Sequence, residues 1–315
     1  MSLVLVLVAL ALLVPWAAVP AARRLAVLLP PREASFTLAG AAVLLAGGTA
    51  AALVGLFHVP FLAGLEHLPL SRVLARWPAV VPVSGAAGVL LAVQAVRLGL
   101  RWRRQRALLA RAWELTGGAT SDGDLLVVAG EEAEAFALPA HRGRPGRVVV
   151  SAGMLRALGP TERAVLLAHE RAHLHGRHHL LSAAADLAAA VHPALGRLRA
   201  DLDFHLERWA DEQAARAVAD RRTAATAIAR AALAGSPSVR HATGPLLSVS
   251  SGPVPQRVQA LLGPAPARPT GHRARAAVAL LAAVAVAALL GVGLAYGLHE
   301  YVEYAARALL AHGTV

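Results

Sequence analysis

The sequence contains no cysteine and no lysine, and only 4% of its residues are aromatic. Without cysteine, the chain has no disulfides, no thiolate metal sites and no cysteine nucleophile. All 31 basic residues are therefore arginine, and 19 acidic residues leave a formal net charge of +12. Charged residues make up only 16% of the chain and hydrophobic residues 57%, and the mean hydropathy of +0.54 is too high for an ordinary soluble domain. This composition predicts membrane-spanning segments.

Four apolar runs are long enough to cross a bilayer, which requires about 20 apolar residues in a helix. They cover residues 3–22, 36–59, 79–96 and 276–298. The first run has an alternative interpretation as a cleaved signal peptide, but it lacks a basic leader and contains Pro15 and Pro20. The sequence therefore predicts four transmembrane helices.

The arginines predict how these helices are oriented. Residues 23–32 carry three arginines and residues 97–111 carry six, whereas residues 60–78 carry only two. By the positive-inside rule, the N-terminus lies outside and residues 97–275 face the cytoplasm. A basic segment beside anionic lipid accounts for the net charge, and no DNA-reading motif accompanies it. We therefore expect these arginines to contact the lipid bilayer, and we do not expect the protein to bind nucleic acid directly.

The chain is divided by these patterns into five segments. They are the three-span segment 1–98, a cytoplasmic domain 99–234, a linker 235–275, a fourth span 276–298 and a short extracytoplasmic tail 299–315.

The cytoplasmic domain begins with short β-type runs and continues as helix. Residues 125–128, 136–138 and 147–150 are predicted strands, and residues 160–234 have a helical pattern. Residues 180–195 are almost wholly apolar, and whether they form a core, an interfacial or a membrane helix stays open. The linker is rich in Gly, Ser and Pro and contains one short predicted helix at 256–262.

One helix carries a motif with chemical meaning. The pattern predicts a helix that begins at Pro160 and ends at Gly176. Within it lies the sequence His169-Glu170-Arg171-Ala172-His173. Histidines four residues apart share one helix face, so both imidazoles reach one metal ion. Glu170 lies beside them and is predicted to act as the general base toward a water molecule.

A catalytic zinc site needs a third protein ligand and an open position. The best candidate is Glu207, in a helical stretch far enough from His173 to return and face it. Asp211 lies four residues further along the same helix face, where it is placed to accept a hydrogen bond from a ligating imidazole and fix its tautomer. An ordinary salt bridge from Asp211 to an arginine is the alternative.

The remaining histidines of this region have simpler interpretations. We expect His175, His178 and His179 to be solvated or interfacial, and His192 and His205 to be packing or supporting groups. A chance match, in which the two motif histidines are only core residues of a membrane protein without metal, is the alternative to a zinc site.

Three stretches carry a resemblance to a known family. Residues 134–138, 148–155 and 166–173 look like the integral-membrane gluzincin peptidases. Within that group the chain is most similar to the BlaR/MecR-type family, the signal-transducer peptidases of antibiotic sensing, while HtpX-like membrane peptidases share the same core motifs. The close likeness covers residues 125–215, and the order of three spans, a cytoplasmic domain and a final span fits the BlaR/MecR type better.

The resemblance implies a membrane α-helical protein with a cytoplasmic α+β, zincin-like peptidase domain in the bacterial cytoplasmic membrane. It implies one Zn²⁺ per chain, held by His169, His173 and Glu207, with Glu170 as base. The implied reaction is endoproteolysis of the chain itself or of a cytoplasmic or membrane protein, such as a repressor-type transcription factor.

The resemblance also implies how substrate binds. The strand around Phe136 and Ala137 corresponds to an edge strand that receives substrate as an added β-strand. A donor to the oxyanion is not identified by the sequence, and His205 and His241 are weak candidates.

In one respect the chain departs from the antibiotic sensors. After the last span it carries only residues 299–315, without a Ser-x-x-Lys nucleophile motif, so we expect no activation by antibiotic acylation. Two alternatives stay open: a zinc-stabilised transducer without proteolytic activity, and an HtpX-like quality-control peptidase. A homodimer is also open, since Gly291, Gly293 and Gly297 offer a close-packing surface.

Overall fold

The computed structural model describes residues 2–311 except for 66–68, 70, 72–73, 76–77 and 236–252, and it does not describe the side chains of residues 2–9, 11, 305–306 and 309–311. The helices are α1 (Ser2–Leu28), α2 (Pro31–Leu65), α3 (Val80–Leu115), α4 (Ala152–Ala157), α5 (Pro160–His175), α6 (His178–Val191), α7 (Leu198–Ala217), α8 (Arg221–Ala234), α9 (Val254–Leu262) and α10 (Gly271–Ala311). The strands are β1 (Thr120–Asp122), β2 (Leu125–Val128), β3 (Ala135–Leu138) and β4 (Arg147–Ser151).

Within the described part of the chain, three helices are long and apolar enough to cross a membrane. They are α2, α3 and the Gly271–Tyr304 part of α10, which contain the second, third and fourth predicted spans. The first predicted span, 3–22, lies in α1, which is not among the three, so the predicted count of four spans is not confirmed. The predicted orientation of the helices stays a prediction.

Helices α6 and α7 rest directly on the long helices. Leu38 and Leu45 of α2 share one buried core with Leu198, Leu202 and Leu206 of α7. The packing of these side chains holds α7 against α2.

The apolar segment 180–195 forms α6 and a following 3₁₀ helix, Pro193–Arg197. Ala185 and Ala188 join the core shared with α2. The amide of Gln94 in α3 donates to the carbonyl of Val191 at 3.1 Å, and the guanidinium of Arg101 reaches Asp186 at 2.8 Å. The segment left open by the sequence therefore packs against α2, α3 and α7.

The four strands form one sheet in the order β1-β2-β4-β3. β2 and β4 are parallel, and the other two pairs are antiparallel. The three predicted strands are confirmed. β1 escaped prediction because Thr120, Ser121 and Asp122 are all exposed and carry no alternating apolar pattern. β3 forms one edge of the sheet built by the described residues.

Glycines bring α2 and α10 close together. A Cβ atom at Gly291 would collide with the backbone carbonyl of Gly48, whereas a Cβ at Gly293 or Gly297 would meet nothing within 4 Å. Of the three glycines predicted to offer a close-packing surface, Gly291 is thus used within the chain.

This difference between neighbouring glycines predicts an asymmetric effect of substitution. Gly291→Val is expected to destabilise the fold by about 1–3 kcal/mol, because α2 and α10 must separate to admit the side chain. The thermal midpoint of the detergent-solubilised protein measures the effect, with Gly293→Val in the same helix as the matched control. Equal midpoints for the two variants would contradict this packing.

Candidate metal centre

α5 begins with the residues that the sequence marked as a helix start. Pro160 is its first residue, and the Glu162 carboxylate accepts a hydrogen bond from the backbone N–H of Gly159 at 2.8 Å. Val165 and Leu166 are buried against the sheet, in one core cluster with β4. The helix ends at His175, as the sequence predicted.

The structure brings His169 and His173 of α5 together with Glu207 of α7. The two Nε2 atoms are 3.1 Å apart, and each lies 3.5 Å from an oxygen of Glu207. One potential ligand atom from each residue lies within 4.8 Å of the others, and all three side chains are buried. Ligand atoms around a tetrahedral zinc ion, with bonds of about 2.0–2.2 Å, are about 3.3 Å apart. These three residues therefore fit a zinc ion.

The charges of this group also fit a divalent cation. Glu170, Glu207 and Asp211 are buried carboxylates, with 0–1% exposure, and the buried Arg257 supplies one positive charge nearby. Formally the group carries two excess negative charges, which cost several kcal/mol in a dry interior unless a cation compensates them. Neither oxygen of Glu207 accepts a well-aligned hydrogen bond from the described residues, but Oε2 lies 2.9 Å from Nη1 of Arg257, so Oε1 is the oxygen better placed to bind a metal ion.

The buried carboxylates also change the protonation of His169. Burial opposes protonation of its ring, but Asp211 and Glu207 outweigh burial and raise the pKa of His169 to about 9. The group thus favours a positive charge at the point where the three ligand atoms converge.

Asp211 lies behind His169. Its Oδ1 is 3.1 Å from Nδ1 of His169, at an angle short of a well-aligned hydrogen bond. A proton held on Nδ1 leaves the lone pair of Nε2 directed at Glu207, which is the arrangement a metal ligand needs. Burial opposes ionisation of Asp211, yet the charge and hydrogen bonds of Arg257 lower its pKa to about 2.

His178 occupies the equivalent place behind His173, which corrects the expectation that it is solvated or interfacial. It is 0% exposed, and its Nδ1 lies 2.8 Å from Nδ1 of His173. Its ring packs against Trp209 at a centroid distance of 4.4 Å. Burial lowers the pKa of His178 to about 3, so its ring is neutral. With zinc on Nε2 of His173, the Nδ1–H of His173 would donate a hydrogen bond to Nδ1 of His178.

A tight turn folds His178 back onto the helix that precedes it. Arg177 adopts a left-handed conformation with φ of 49°, and a Cβ at Gly176 would collide with the His178 ring. In the sequence, only the order Gly176-Arg177-His178 after the helix indicates a turn here. That order does not predict the direction of the His178 ring.

The contact predicts that His178→Phe weakens zinc binding by about 10–100-fold, the usual cost of losing an outer partner of a ligating histidine. Phenylalanine keeps the packing on Trp209 and removes the acceptor. Competition with a chromogenic chelator measures the affinity, with His179→Phe at the neighbouring, half-buried position as the control. Unchanged affinity in His178→Phe would show that the imidazole pair does not support the site.

The other histidines considered in the sequence analysis do not belong to the converging group. His175 is exposed and His179 half-buried, as expected. His192 ends α6, where its Nδ1 accepts from the backbone N–H of Ala194 at 3.2 Å. His205 packs against its neighbour Phe204, and burial lowers its pKa to about 4. His241 lies outside the described residues.

The strand expected to receive substrate is at the sheet edge. Phe136 pairs with Val149 and Ala137 with Val148 of β4, and α5 packs against this strand. The opposite side of β3 has no partner strand among the described residues.

Arg257 of α9 is the site residue that sequence reasoning missed. Its side chain is 0% exposed, and its guanidinium donates to both oxygens of Asp211, at 2.8 and 2.6 Å. Its Nη1 lies 2.9 Å from Oε2 of Glu207. The short linker helix was predicted, but nothing local to it indicates that an arginine is buried there.

Comparison with known families agrees with this geometry. Residues 105–199 match the model of Peptidase family M48. The match covers less than a third of the chain, includes the sheet and the His169–His173 motif, and ends before Glu207. No curated protein and no solved structure matches the chain. The matched region is thus similar to a family of zinc-dependent metallopeptidases. The three long apolar helices, which lie almost wholly outside this region, are consistent with membrane insertion.

Proposed function

We propose that this protein is a membrane-embedded zinc endopeptidase. The observation that carries the proposal is the convergence of His169, His173 and Glu207 from two helices, with Glu170 buried beside them. The similarity of residues 105–199 to Peptidase family M48 supports it independently of Glu207, which lies outside the match.

The residues divide the work of peptide hydrolysis. His169, His173 and Glu207 hold zinc, which when bound polarises a peptide carbonyl and makes water a stronger nucleophile near neutral pH. Glu170 takes a proton from the attacking water and delivers it to the leaving amine as the peptide bond breaks. Asp211 and His178 keep the two imidazoles in the tautomer that presents Nε2.

The edge strand supports a mode of substrate binding. The carbonyl of Glu134 accepts from the N–H of Ser151 at 2.9 Å, so this residue and, by alternation, Phe136 direct their main-chain groups to β4. Ala137 then directs its N–H and C=O to the open edge, where an extended peptide adds as a further strand. The substrate is accordingly a protein segment in extended conformation.

The biological role that best suits the chain is regulatory proteolysis. The likeness to BlaR/MecR-type peptidases favours a repressor-type transcription factor, or the chain itself, as substrate, on the cytoplasmic side of the membrane. The likeness to HtpX-like enzymes keeps quality control of membrane proteins as the second candidate. Cleavage of a defined site in one protein supports the first role, and degradation of many unfolded membrane proteins supports the second.

Metal analysis of the purified wild-type protein tests the proposal before any substrate is known. We expect about one zinc per chain in detergent-solubilised protein, because the site offers three protein ligands and an open position. Wild-type protein that is folded but neither retains zinc nor takes it up from solution would refute the peptidase assignment.

A further inference from the structure

The short helix α9 reaches the metal centre from a distant part of the chain. It lies within the predicted linker 235–275 and precedes α10, one of the helices able to span a membrane. Gln256 and Gln259 on one face are exposed, while Arg257 and Leu261, four residues apart, are buried. An arginine is rarely buried completely unless it is paired, so this face is built to enter the protein interior.

Arg257 binds two carboxylates of α7 at once. Its planar guanidinium donates to Asp211 through Nε and Nη2, at 2.8 and 2.6 Å, in the bidentate geometry that gives the strongest arginine–carboxylate pairs. The remaining nitrogen, Nη1, lies 2.9 Å from Glu207. One side chain therefore touches both a zinc ligand and the carboxylate that orients a second ligand, His169.

A second arginine holds the other end of α9 in place. Arg221 of α8 donates to the carbonyls of Leu261 and Ala260, at 3.1 and 2.9 Å, and it also pairs with Glu212 of α7. These contacts satisfy carbonyls at the end of α9 that have no partner within the helix. They fix α9 to α7 without touching the zinc ligands.

We propose that Arg257 is a positioning residue of the metal centre, which aligns Glu207 and Asp211 and thereby couples the docking of α9 to zinc binding. This inference rests on the proposed function, since it assumes that Glu207 is a zinc ligand. The guanidinium of Arg257 lies within 2.9 Å of both carboxylates and offsets the repulsion between them. Without it, three buried carboxylates face one another and Asp211 loses the fork that fixes its direction toward His169.

The coupling is reciprocal by thermodynamic necessity. If docked α9 strengthens zinc binding, then zinc stabilises docked α9 by the same factor. Residues 263–270 join α9 to α10. A displacement of α10 in the membrane that pulls α9 away is therefore transmitted to the metal ligands through Arg257, which gives a signal a route to the catalytic centre.

Zinc affinity of the full-length, detergent-solubilised protein tests the inference by competition with a chromogenic chelator. We expect Arg257→Gln to weaken binding about 10–100-fold, as is typical for outer partners of metal ligands. Arg257→Lys, which keeps the charge and loses the fork, is expected to fall between Arg257→Gln and wild type. Gln259→Ala, on the exposed face of the same helix, is the matched control and is expected to bind like wild type.

The variant Arg221→Ala distinguishes the effect of docking α9 from the effect of direct contact between Arg257 and the carboxylates. It loosens α9 without removing any group near the ligands, so coupling predicts weaker zinc binding together with faster hydrogen exchange of α9 amides. Zinc is expected to slow that exchange in wild type. Should Arg257→Gln fail to fold, the affinity of Arg257→Lys and the exchange data decide the question.

Two results would overturn the inference. One is wild-type zinc affinity in folded Arg257→Gln, or in Arg257→Lys together with α9 exchange that zinc leaves unchanged. The other is zinc binding that survives in His169→Ala. That result would refute the proposed zinc site and the inference with it. Zinc that is lost in His169→Ala but retained in Arg257→Gln refutes the inference alone.

Discussion

Replacing Glu170 by glutamine is expected to lower the rate of peptide hydrolysis by about 10²–10⁴-fold while zinc content stays unchanged. Glutamine has nearly the same shape as glutamate but does not accept a proton near neutral pH. Glu170 is fully buried one residue after His169, and it is not one of the three residues whose ligand atoms converge. The variant thus removes proton transfer and leaves the metal ligands in place.

The measurement uses a peptide mixture, because the natural substrate is unidentified. Zinc-loaded wild type and Glu170→Gln are incubated with peptides derived from a bacterial membrane proteome, and new termini are detected by mass spectrometry. Glu114→Gln, an exposed glutamate at the end of α3, is the matched control and is expected to cleave like wild type. Cleavage sites shared by the wild type and the control but missing from Glu170→Gln define the activity.

The opposite result has a specific meaning. A Glu170→Gln variant that keeps zinc and transmits its signal as wild type does would favour the zinc-stabilised transducer over the peptidase. Cleavage at the wild-type rate would show that another group serves as base.

The sequence predicted the elements whose causes are local. The helix around His169 follows from apolar spacing between a proline start and a glycine stop, and the three main strands follow from short apolar runs between turn residues. The pairing of His173 with Glu207 was also within reach, because a catalytic zinc ion needs a third ligand and Glu207 lies far enough along the chain for a returning helix to face His173.

The contacts that sequence reasoning missed depend on the tertiary fold. His178 was expected to be solvated or interfacial, but the turn at Gly176 directs its ring inward. Arg257 was overlooked because an arginine in a polar linker ordinarily faces water. Its partner Asp211 is 46 residues away in sequence, and no local pattern brings the two together.

The long apolar helices show the same contrast between features with a local cause and features that depend on the tertiary fold. The lengths of the apolar runs predicted α2, α3 and α10, but they did not predict that α3 continues as one helix to Leu115, where Trp113 donates to the carbonyl of Pro139 beside β3. Helix continuity of this kind joins the membrane segment rigidly to the sheet. The arginine-rich residues 97–111 occur in helices and in loops alike, so the sequence alone did not show that the helix continues through them.

The largest effect on the metal is expected from the ligands themselves: His169→Ala and Glu207→Gln should both purify with little or no zinc. Loss of either ligand leaves two, which is too few for a stable structural or catalytic zinc site. Glutamine is chosen at position 207 because its side-chain oxygen still accepts a hydrogen bond from Arg257, whereas alanine would leave this part of the buried guanidinium without an acceptor.

Zinc per chain is measured by elemental analysis of freshly purified protein, with circular dichroism to establish that each variant is folded. His175→Ala is the control, since this histidine lies on the same helix, is exposed and is not part of the converging group. Zinc lost in both ligand variants and retained in the control assigns the ion to α5 and α7 together. Zinc retained in Glu207→Gln alone would contradict the third ligand, and with it the reason that Arg257 and Asp211 are buried at this point of the fold.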